Sequence, residues 1–206
     1  MTIESTTHAK AQIVTYQQNK QGKDCCGDSY LSIETDTHFI CALADGLGSG
    51  RLAKRSANIA MEVIRKSQHE EVSTLLKKIN HALVKERGVV ITILKIDFLT
   101  NTLTYGNVGN ISTYLLTELG EVNRLLPVLG YLSGRPYQEN VLKLPFYSGS
   151  TFLLHSDGAS FSWVDSHWLQ QSLSLNEAME KLVSKMKYKD DDATIIIGRM
   201  YDEPKK

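Results

Sequence analysis

Aspartates directly follow two apolar runs of this sequence, in positions from which their carboxylates could meet a cation. Residues 39–44 form an uninterrupted apolar run, which predicts a buried strand, and Asp45 and Gly46 come next. The run Thr151–His155 is followed in the same way by Ser156-Asp157-Gly158. A carboxylate at the tip of a buried strand is costly unless a positive group meets it. Both positions are therefore candidates for a cation site.

Two further acidic positions lie beside predicted strands. Asp28 follows Gly27 at the head of an early run, and residues 190–192, all aspartates, precede the last apolar run. No histidine or cysteine belongs to this set, and a set of carboxylates alone is typical of a hard, oxygen-liganded ion such as Mg²⁺ or Mn²⁺. One Asp-Gly pair is a common turn, but several on buried strands favour a metal centre.

The glycines after Asp45 admit more than one interpretation. Gly46, Gly48 and Gly50 alternate before a predicted helix, and such a turn could cradle a nucleotide phosphate. The dinucleotide fingerprint needs glycines at its first, third and sixth positions, but Arg51 occupies the sixth. The carboxylate of Asp45 would also face the phosphate. A divalent cation held by Asp45 and a plain structural turn are the alternatives that this stretch leaves open.

Hydrophobic periodicity predicts an α+β domain over residues 1–206, with loose tails at 1–10 and 201–206. Helices are predicted over 51–68 and 71–87, the second ended by Gly88, and a capping box at Ser174–Glu177 predicts a third to about 187. Apolar runs after Gly88, separated by short turns, predict an antiparallel meander. The predicted strands cover 11–18 (as an edge strand), 29–34, 39–44, 89–98, 102–108, 111–116, 137–144, 150–155 and 194–198.

Composition excludes several classes of function. The chain has 23 basic and 23 acidic residues, and the basic ones are scattered, which argues against a nucleic-acid groove or a polybasic membrane patch. No apolar run is long enough for a membrane span and the N-terminus is polar, so a cytoplasmic protein is expected. The three cysteines form neither a disulfide framework nor a zinc site.

Taken in order, the acidic motifs resemble those of the type 2C metal-dependent protein phosphatases. The matching motifs are Gly27-Asp28, Asp45-Gly46-x-Gly48, Ser156-Asp157-Gly158 and Asp191-Asp192-x-Thr194. Their order and spacing agree with the family over nearly the whole chain. The resemblance implies a β-sandwich of two antiparallel sheets flanked by helices, in a four-layer αββα arrangement.

The resemblance also implies a role for each acid. The residue matching Asp45 bridges two Mn²⁺ or Mg²⁺ ions, and the carbonyl matching Gly46 binds one of them. The acids matching Asp157 and Asp191 complete the other ion, and the one matching Asp28 acts through metal-bound water. A hydroxide that bridges the ions would attack phosphoserine or phosphothreonine directly. The implied catalytic residues are therefore Asp45, Asp157 and Asp191.

The sequence departs from the family pattern at three positions. Lys23 stands where many members have an arginine that grips the phosphate, and it is either a phosphate ligand or a solvated turn residue. Leu47 replaces a histidine that serves some members as general acid. Asn110 replaces an aspartate that binds a third metal in many bacterial members, so no third ion is expected. His155 is either a general acid or a packed core histidine.

The family members most similar in these motifs act on regulatory proteins of bacterial stress signalling. The resemblance therefore implies a phosphorylated protein of the stressosome or an anti-sigma-factor pathway as substrate, and a monomeric negative regulator of the general stress response. A catalytically silent phosphatase-fold binding module is the alternative. The intact set of aspartates argues against that alternative.

Overall fold

Two antiparallel sheets form the centre of the computed structural model, which describes residues 2–117, 121–160, 174–188 and 190–201. The first sheet contains, in spatial order, β1 (Thr2–Thr7), β2 (Ala11–Gln18), β13 (Ala193–Met200), β10 (Thr151–His155), β7 (Ser112–Leu116) and β8 (Val122–Leu125). The second contains β3 (Asp28–Glu34), β4 (His38–Gly46), β5 (Val89–Asp97), β6 (Thr102–Val108) and β9 (Asn140–Pro145). A separate short pair joins β11 (Ala159–Ser160) to β12 (Lys187–Tyr188).

Helices cover the outer faces of both sheets. The second sheet is covered by α1 (Arg51–Lys66) and α2 (Val72–Ala82), and the first by α3 (Leu175–Lys185). Three apolar layers result, one between the sheets and one under the helices on each side. The predicted four-layer αββα arrangement is therefore confirmed. No helix in the described ranges is long and apolar enough to span a membrane.

Local sequence explains why α1 and α3 form where they do. Ala53, Ala57 and Ala60 are fully buried on one face of α1, and their small side chains let the helix pack closely on the second sheet. The capping box predicted for α3 is present, because the Ser174 side chain accepts a hydrogen bond from the Glu177 amide at 3.2 Å.

The predicted meander is wrong after β6. β5 pairs with β6 as expected, but β7 leaves that sheet and pairs with β10 and β8 in the other. The turn at Gly109 and Asn110 is therefore a crossing between the sheets rather than a hairpin. Gly109 has a φ of 111°, and a Cβ there would lie 2.2 Å from Cβ of Val90, so only glycine fits this crossing. β8 was not predicted.

The N-terminal segment also differs from expectation. Residues 1–10 were expected to be a loose tail, but Thr2–Thr7 form β1 and pair with β2, which is consequently not an edge strand. The side chains of β1 are all exposed. Backbone hydrogen bonds rather than burial hold this strand, so hydrophobic periodicity could not reveal it. In the other tail, residues 202–206 lie outside the described residues.

The second helix is shorter than predicted. α2 ends at Ala82 rather than at residue 87, and Lys85 already has a positive φ of 72°. Gly88 is therefore not the residue that ends the helix. A Cβ on Gly88 would lie 2.6 Å from the Leu132 carbonyl oxygen, because the loop at Leu132 forms a β-bridge with Val89.

Candidate metal centre

The pairing of β3 with β4 brings the first two predicted acids together. In this register Asp28, at the start of β3, lies directly opposite Asp45, near the end of β4. Side chains opposed in this way on antiparallel strands have Cβ atoms about 4.5–5.5 Å apart. The carboxylate of Asp28 is fully buried and that of Asp45 is half-buried. Two acids therefore share one end of the second sheet.

Residues of the first sheet hold the carboxylate of Asp28. Its Oδ2 accepts a hydrogen bond from Ser156 Oγ at 2.8 Å, and the same oxygen of Ser156 accepts one from the Thr194 amide at 2.9 Å. The other oxygen of Asp28, Oδ1, is buried and has no hydrogen-bond partner within the described parts of the chain. Buried carboxylate oxygens normally have a partner. A cation, or water held by one, would satisfy this atom.

The charges of the other predicted acids act on the carboxylate of Asp45. Burial raises the pKa of Asp45 well above its ordinary range, and the charges of Asp28, Asp157 and Asp191 raise it further. Burial likewise raises the pKa of Asp28. Neighbouring like charges disfavour the ionised form of a carboxyl group, and a bound cation reverses that effect. This set of oxygen donors therefore fits Mg²⁺ or Mn²⁺.

Asp157 and Asp191 lie in more open surroundings, on the loops that follow β10 and precede β13. Asp157 is exposed, and its Oδ2 accepts a hydrogen bond from Asn110 Nδ2 at 3.0 Å. Oδ1 of Asp191 lies 3.7 Å from the Lys20 ammonium. At the position where the family pattern places a further acid, this chain therefore has an amide that donates a hydrogen bond to Asp157.

The described residues contain no group of three or more acidic, histidine or cysteine side chains that encloses an ion by itself. This arrangement is consistent with the coordination chemistry of Mg²⁺, which keeps several waters and is usually bound through one or two carboxylates.

Glycine is required at two positions of the centre by close packing. A Cβ on Gly46 would lie 2.1 Å from the Ala53 carbonyl oxygen, because the first turn of α1 packs directly on the end of β4. A Cβ on Gly27 would lie 2.8 Å from Oδ2 of Asp192. At Gly27 and at Gly46 the backbone therefore packs so closely on its neighbours that a larger residue would collide with them.

The departures from the family pattern have distinct positions. Lys23 is exposed beside the glycine turn, with its Cδ 3.6 Å from where a Cβ of Gly50 would stand. Leu47 packs against the core between the sheets, and its amide donates to the Gly88 carbonyl at 3.0 Å. His155 is buried, and its Nδ1 donates to the Ser156 carbonyl at 2.9 Å. These contacts favour a packed core histidine.

Sequence reasoning missed several residues of the centre. Lys54 donates from Nζ to the Asp28 carbonyl oxygen at 2.6 Å, and no sequence pattern separates it from the other basic residues of α1. Asp192 is buried, with Oδ1 accepting from the Lys20 amide at 2.8 Å and Oδ2 without a partner among the described residues. Ser156 and Asp192 both lie in the recognised motifs, so only their roles as supports were missed.

Comparison with known proteins places the chain in a family. Residues 35–201 match the family described as Stage II sporulation protein E (SpoIIE). The chain is 36% identical to phosphoserine phosphatase RsbX of Bacillus subtilis (strain 168) over 198 residues, which are 96% of this chain and 98% of that protein.

Solved structures agree with this relationship. The crystal structure of RsbX in complex with magnesium matches with a TM-score of 0.88 at 35% identity, over 97% of this chain and 100% of that one. A chain from a structure of the bacterial stressosome, a modular system adapted to control secondary messenger signalling, matches with a TM-score of 0.83 at 27% identity, over 92% and 100% of the two chains. The chain therefore belongs to the SpoIIE family of type 2C metal-dependent protein phosphatases.

Proposed function

We propose that this phosphatase hydrolyses phosphoserine or phosphothreonine in a regulatory protein of stress signalling. The observation that carries the proposal is the acid pair Asp28 and Asp45, held across two strands with Asp157 and Asp191 close enough to raise the pKa of Asp45. Such a concentration of carboxylates is costly in a folded protein unless cations offset their repulsion. It fits a centre for divalent ions.

The proposed ligands are the ones expected from the sequence. Asp45, Gly46, Asp157 and Asp191 would hold two Mn²⁺ or Mg²⁺ ions, with Asp28 beside them. When bound, these ions would activate water and neutralise charge on the phosphoryl oxygens. The chain itself contributes rigidity, because Asp28 and Asp45 lie on paired strands and Ser156 holds one oxygen of Asp28. Asn110 restrains Asp157 in the same way.

The nature of the substrate is supported by the relatives. The protein that is 36% identical over almost the whole chain is named a phosphoserine phosphatase, and a matching structure comes from the stressosome. We therefore propose a phosphoserine or phosphothreonine protein of the stressosome or an anti-sigma-factor pathway as the partner. The phosphatase would then act as a negative regulator of the general stress response.

Phosphate release from a phosphoserine peptide and from p-nitrophenyl phosphate tests the proposal. Release is expected with Mn²⁺ or Mg²⁺, should stop when EDTA removes the ion, and should return when the ion is restored. A folded protein that releases no phosphate with either ion would instead support the silent binding module.

A further inference from the structure

The outward face of α1 forms a groove that the phosphatase chemistry does not use. The groove has a volume of about 560 Å³, and its lining residues recur along the helix at intervals of three and four, from Arg51 to Lys66. Residues at these intervals share one face of a helix. The opposite face, with Ala57, Ala60 and Ile64, is buried in the core that joins α1 to the second sheet.

Positive charge predominates in this groove. Arg51, Lys54 and Lys66 line it, and Glu62 is its one acidic lining residue. Arg55 also lines it, but it pairs with Glu86 at 2.8 Å, and Arg51 pairs with Asp24 at 3.6 Å, so the positive excess comes from Lys54 and Lys66. Since the whole chain has a formal net charge of zero, this excess on one helix face is local. An acidic ligand complements such a face.

One end of the groove lies beside the backbone of Asp28. Lys54 is one of its lining residues, and the same side chain donates to the Asp28 carbonyl at 2.6 Å. Cys25, three residues before Asp28, also lines the groove. A ligand that lies along α1 therefore comes close to the start of β3, the strand that carries Asp28.

The dimensions and apolar content of the groove suit a peptide. A helix rises 1.5 Å per residue, so the face from Arg51 to Lys66 is roughly 24 Å long. An extended peptide covers that distance with about seven residues. Ile59 and Val63, both half-buried, lie between the basic residues and provide an apolar surface for a side chain of the ligand.

We propose that this groove binds an acidic segment of the phosphoprotein substrate, adjacent to the phosphorylated residue. The proposal rests on the proposed function, because it takes the metal centre as the place where the phosphate is removed. The groove would select among phosphoproteins by the charge of the sequence that flanks their phosphorylation site.

Two phosphoserine peptides of equal length test the proposal, one with Asp and Glu in the seven flanking positions and one with Asn and Gln there. The parent protein should show a KM at least about fivefold lower for the acidic peptide. Lys66→Glu should remove this preference and leave turnover of p-nitrophenyl phosphate unchanged. Lys66 is exposed and distant in sequence from the acids of the centre.

Lys181→Glu is the matched control. Lys181 is exposed on α3, the helix that covers the other sheet, and it does not line the groove. Both substitutions change the net charge by two, so an effect of overall charge would be the same in both variants. A loss of preference in Lys66→Glu that is absent in Lys181→Glu supports the groove. Equal losses overturn it.

A binding measurement separates this proposal from the proposed function. Cys25 is half-buried, whereas Cys26 and Cys41 are buried, so a maleimide should modify Cys25 first. The acidic peptide should protect Cys25 from modification, and Lys66→Glu should weaken the protection several-fold. This outcome would support the groove even if no phosphate were released from any substrate.

Two results would overturn the groove while leaving the phosphatase intact. The first is equal KM values of the parent for the acidic and neutral peptides, with normal turnover of p-nitrophenyl phosphate. The second is equal protection of Cys25 by the acidic peptide and by a single-stranded oligonucleotide of the same charge, which would show unselective attraction of polyanions.

Discussion

The two halves of the acidic centre differ in how the fold treats their charge. Asp28 and Asp45 lie opposite each other on paired strands, where burial raises the pKa of both and the charge of Asp28 raises that of Asp45 further. Asp157 and Asp191 come from loops of the other sheet, where Asn110 and Lys20 lie beside their carboxylates. The first half therefore stores repulsion that a cation would relieve, while the second half is already partly compensated.

This difference separates two functions of a metal centre. The more buried pair, Asp28 and Asp45, would provide a rigid position whose charge is unfavourable until ions bind, and the more exposed pair, Asp157 and Asp191, would add ligands at little cost to the folded state. Substitutions in the buried pair should therefore affect both activity and stability. Substitutions in the exposed pair should mainly affect how much metal is needed.

The largest effect is expected for Asp45→Asn. Loss of the central charge should lower kcat on a phosphoserine peptide by on the order of 100-fold or more, because the preorganised charge at a reacting centre usually contributes that much. The variant should stay folded, and without metal it should melt at a higher temperature than the parent. Asp36→Asn, at an exposed turn, is the control and should change neither quantity. Near-parental kcat in folded Asp45→Asn at saturating Mn²⁺ would refute the assignment.

A smaller effect is expected for Asp157→Asn and Asp191→Asn. Each should raise the Mn²⁺ concentration that gives half-maximal activity by about 10-fold or more, the range typical for loss of one group at a metal site. Titration of activity with Mn²⁺ measures this change. If both variants needed no more Mn²⁺ than the parent, the exposed pair would have no part in metal binding.

The stability of the metal-free protein should depend on pH in a particular direction. The pKa of Asp45 in the folded state is about 9, above the value of about 3.9 expected in an unfolded chain. Because the pKa is raised in the folded state, the contribution of Asp45 to stability is fully present below about pH 4 and is lost as the pH rises toward 9. Urea unfolding in EDTA at pH 5, 7 and 9 should show that the free energy of unfolding falls as the pH rises. The fall should be smaller in Asp45→Asn.

Millimolar Mn²⁺ should oppose this loss of stability at high pH, because an ion that binds only the folded state stabilises it by mass action. The gain in melting temperature should be larger at pH 8 than at pH 5, since a protonated carboxyl group binds metal poorly. A melting temperature that Mn²⁺ does not change at pH 8 would contradict a preformed site.

The smallest effect is expected at Lys23, which lies beside the glycine turn rather than among the acids. If its ammonium contacts the phosphate, Lys23→Ala and Lys23→Gln should raise KM for a phosphoprotein a few-fold and leave Mn²⁺ affinity unchanged. Lys23→Arg should retain activity, because a guanidinium also binds phosphate oxygens. Parental KM and kcat in both Lys23→Ala and Lys23→Gln would identify a solvated turn residue.

The sequence by itself predicted the helices and strands whose formation depends on interactions between near neighbours in the chain. Apolar periodicity and small residues predicted β4 and α1, and the capping box predicted α3. It also predicted that Asp45 and Asp157 lie at the ends of buried strands, Asp45 within the end of β4 and Asp157 two residues after β10. Such signals depend on neighbours in the chain, and for that reason they can be read without the fold.

Only the tertiary structure decided which distant residues meet. Ser156 reaches Asp28 across 128 positions, and Lys54 reaches the same residue from a helix that carries several other basic side chains. The crossing of β7 into the first sheet was likewise invisible, because a short turn serves a hairpin and a crossing equally well. Packing of the two sheets makes that choice, since it determines which apolar faces are buried together. The sequence thus determined the chemistry of the centre, and sheet packing determined its supports.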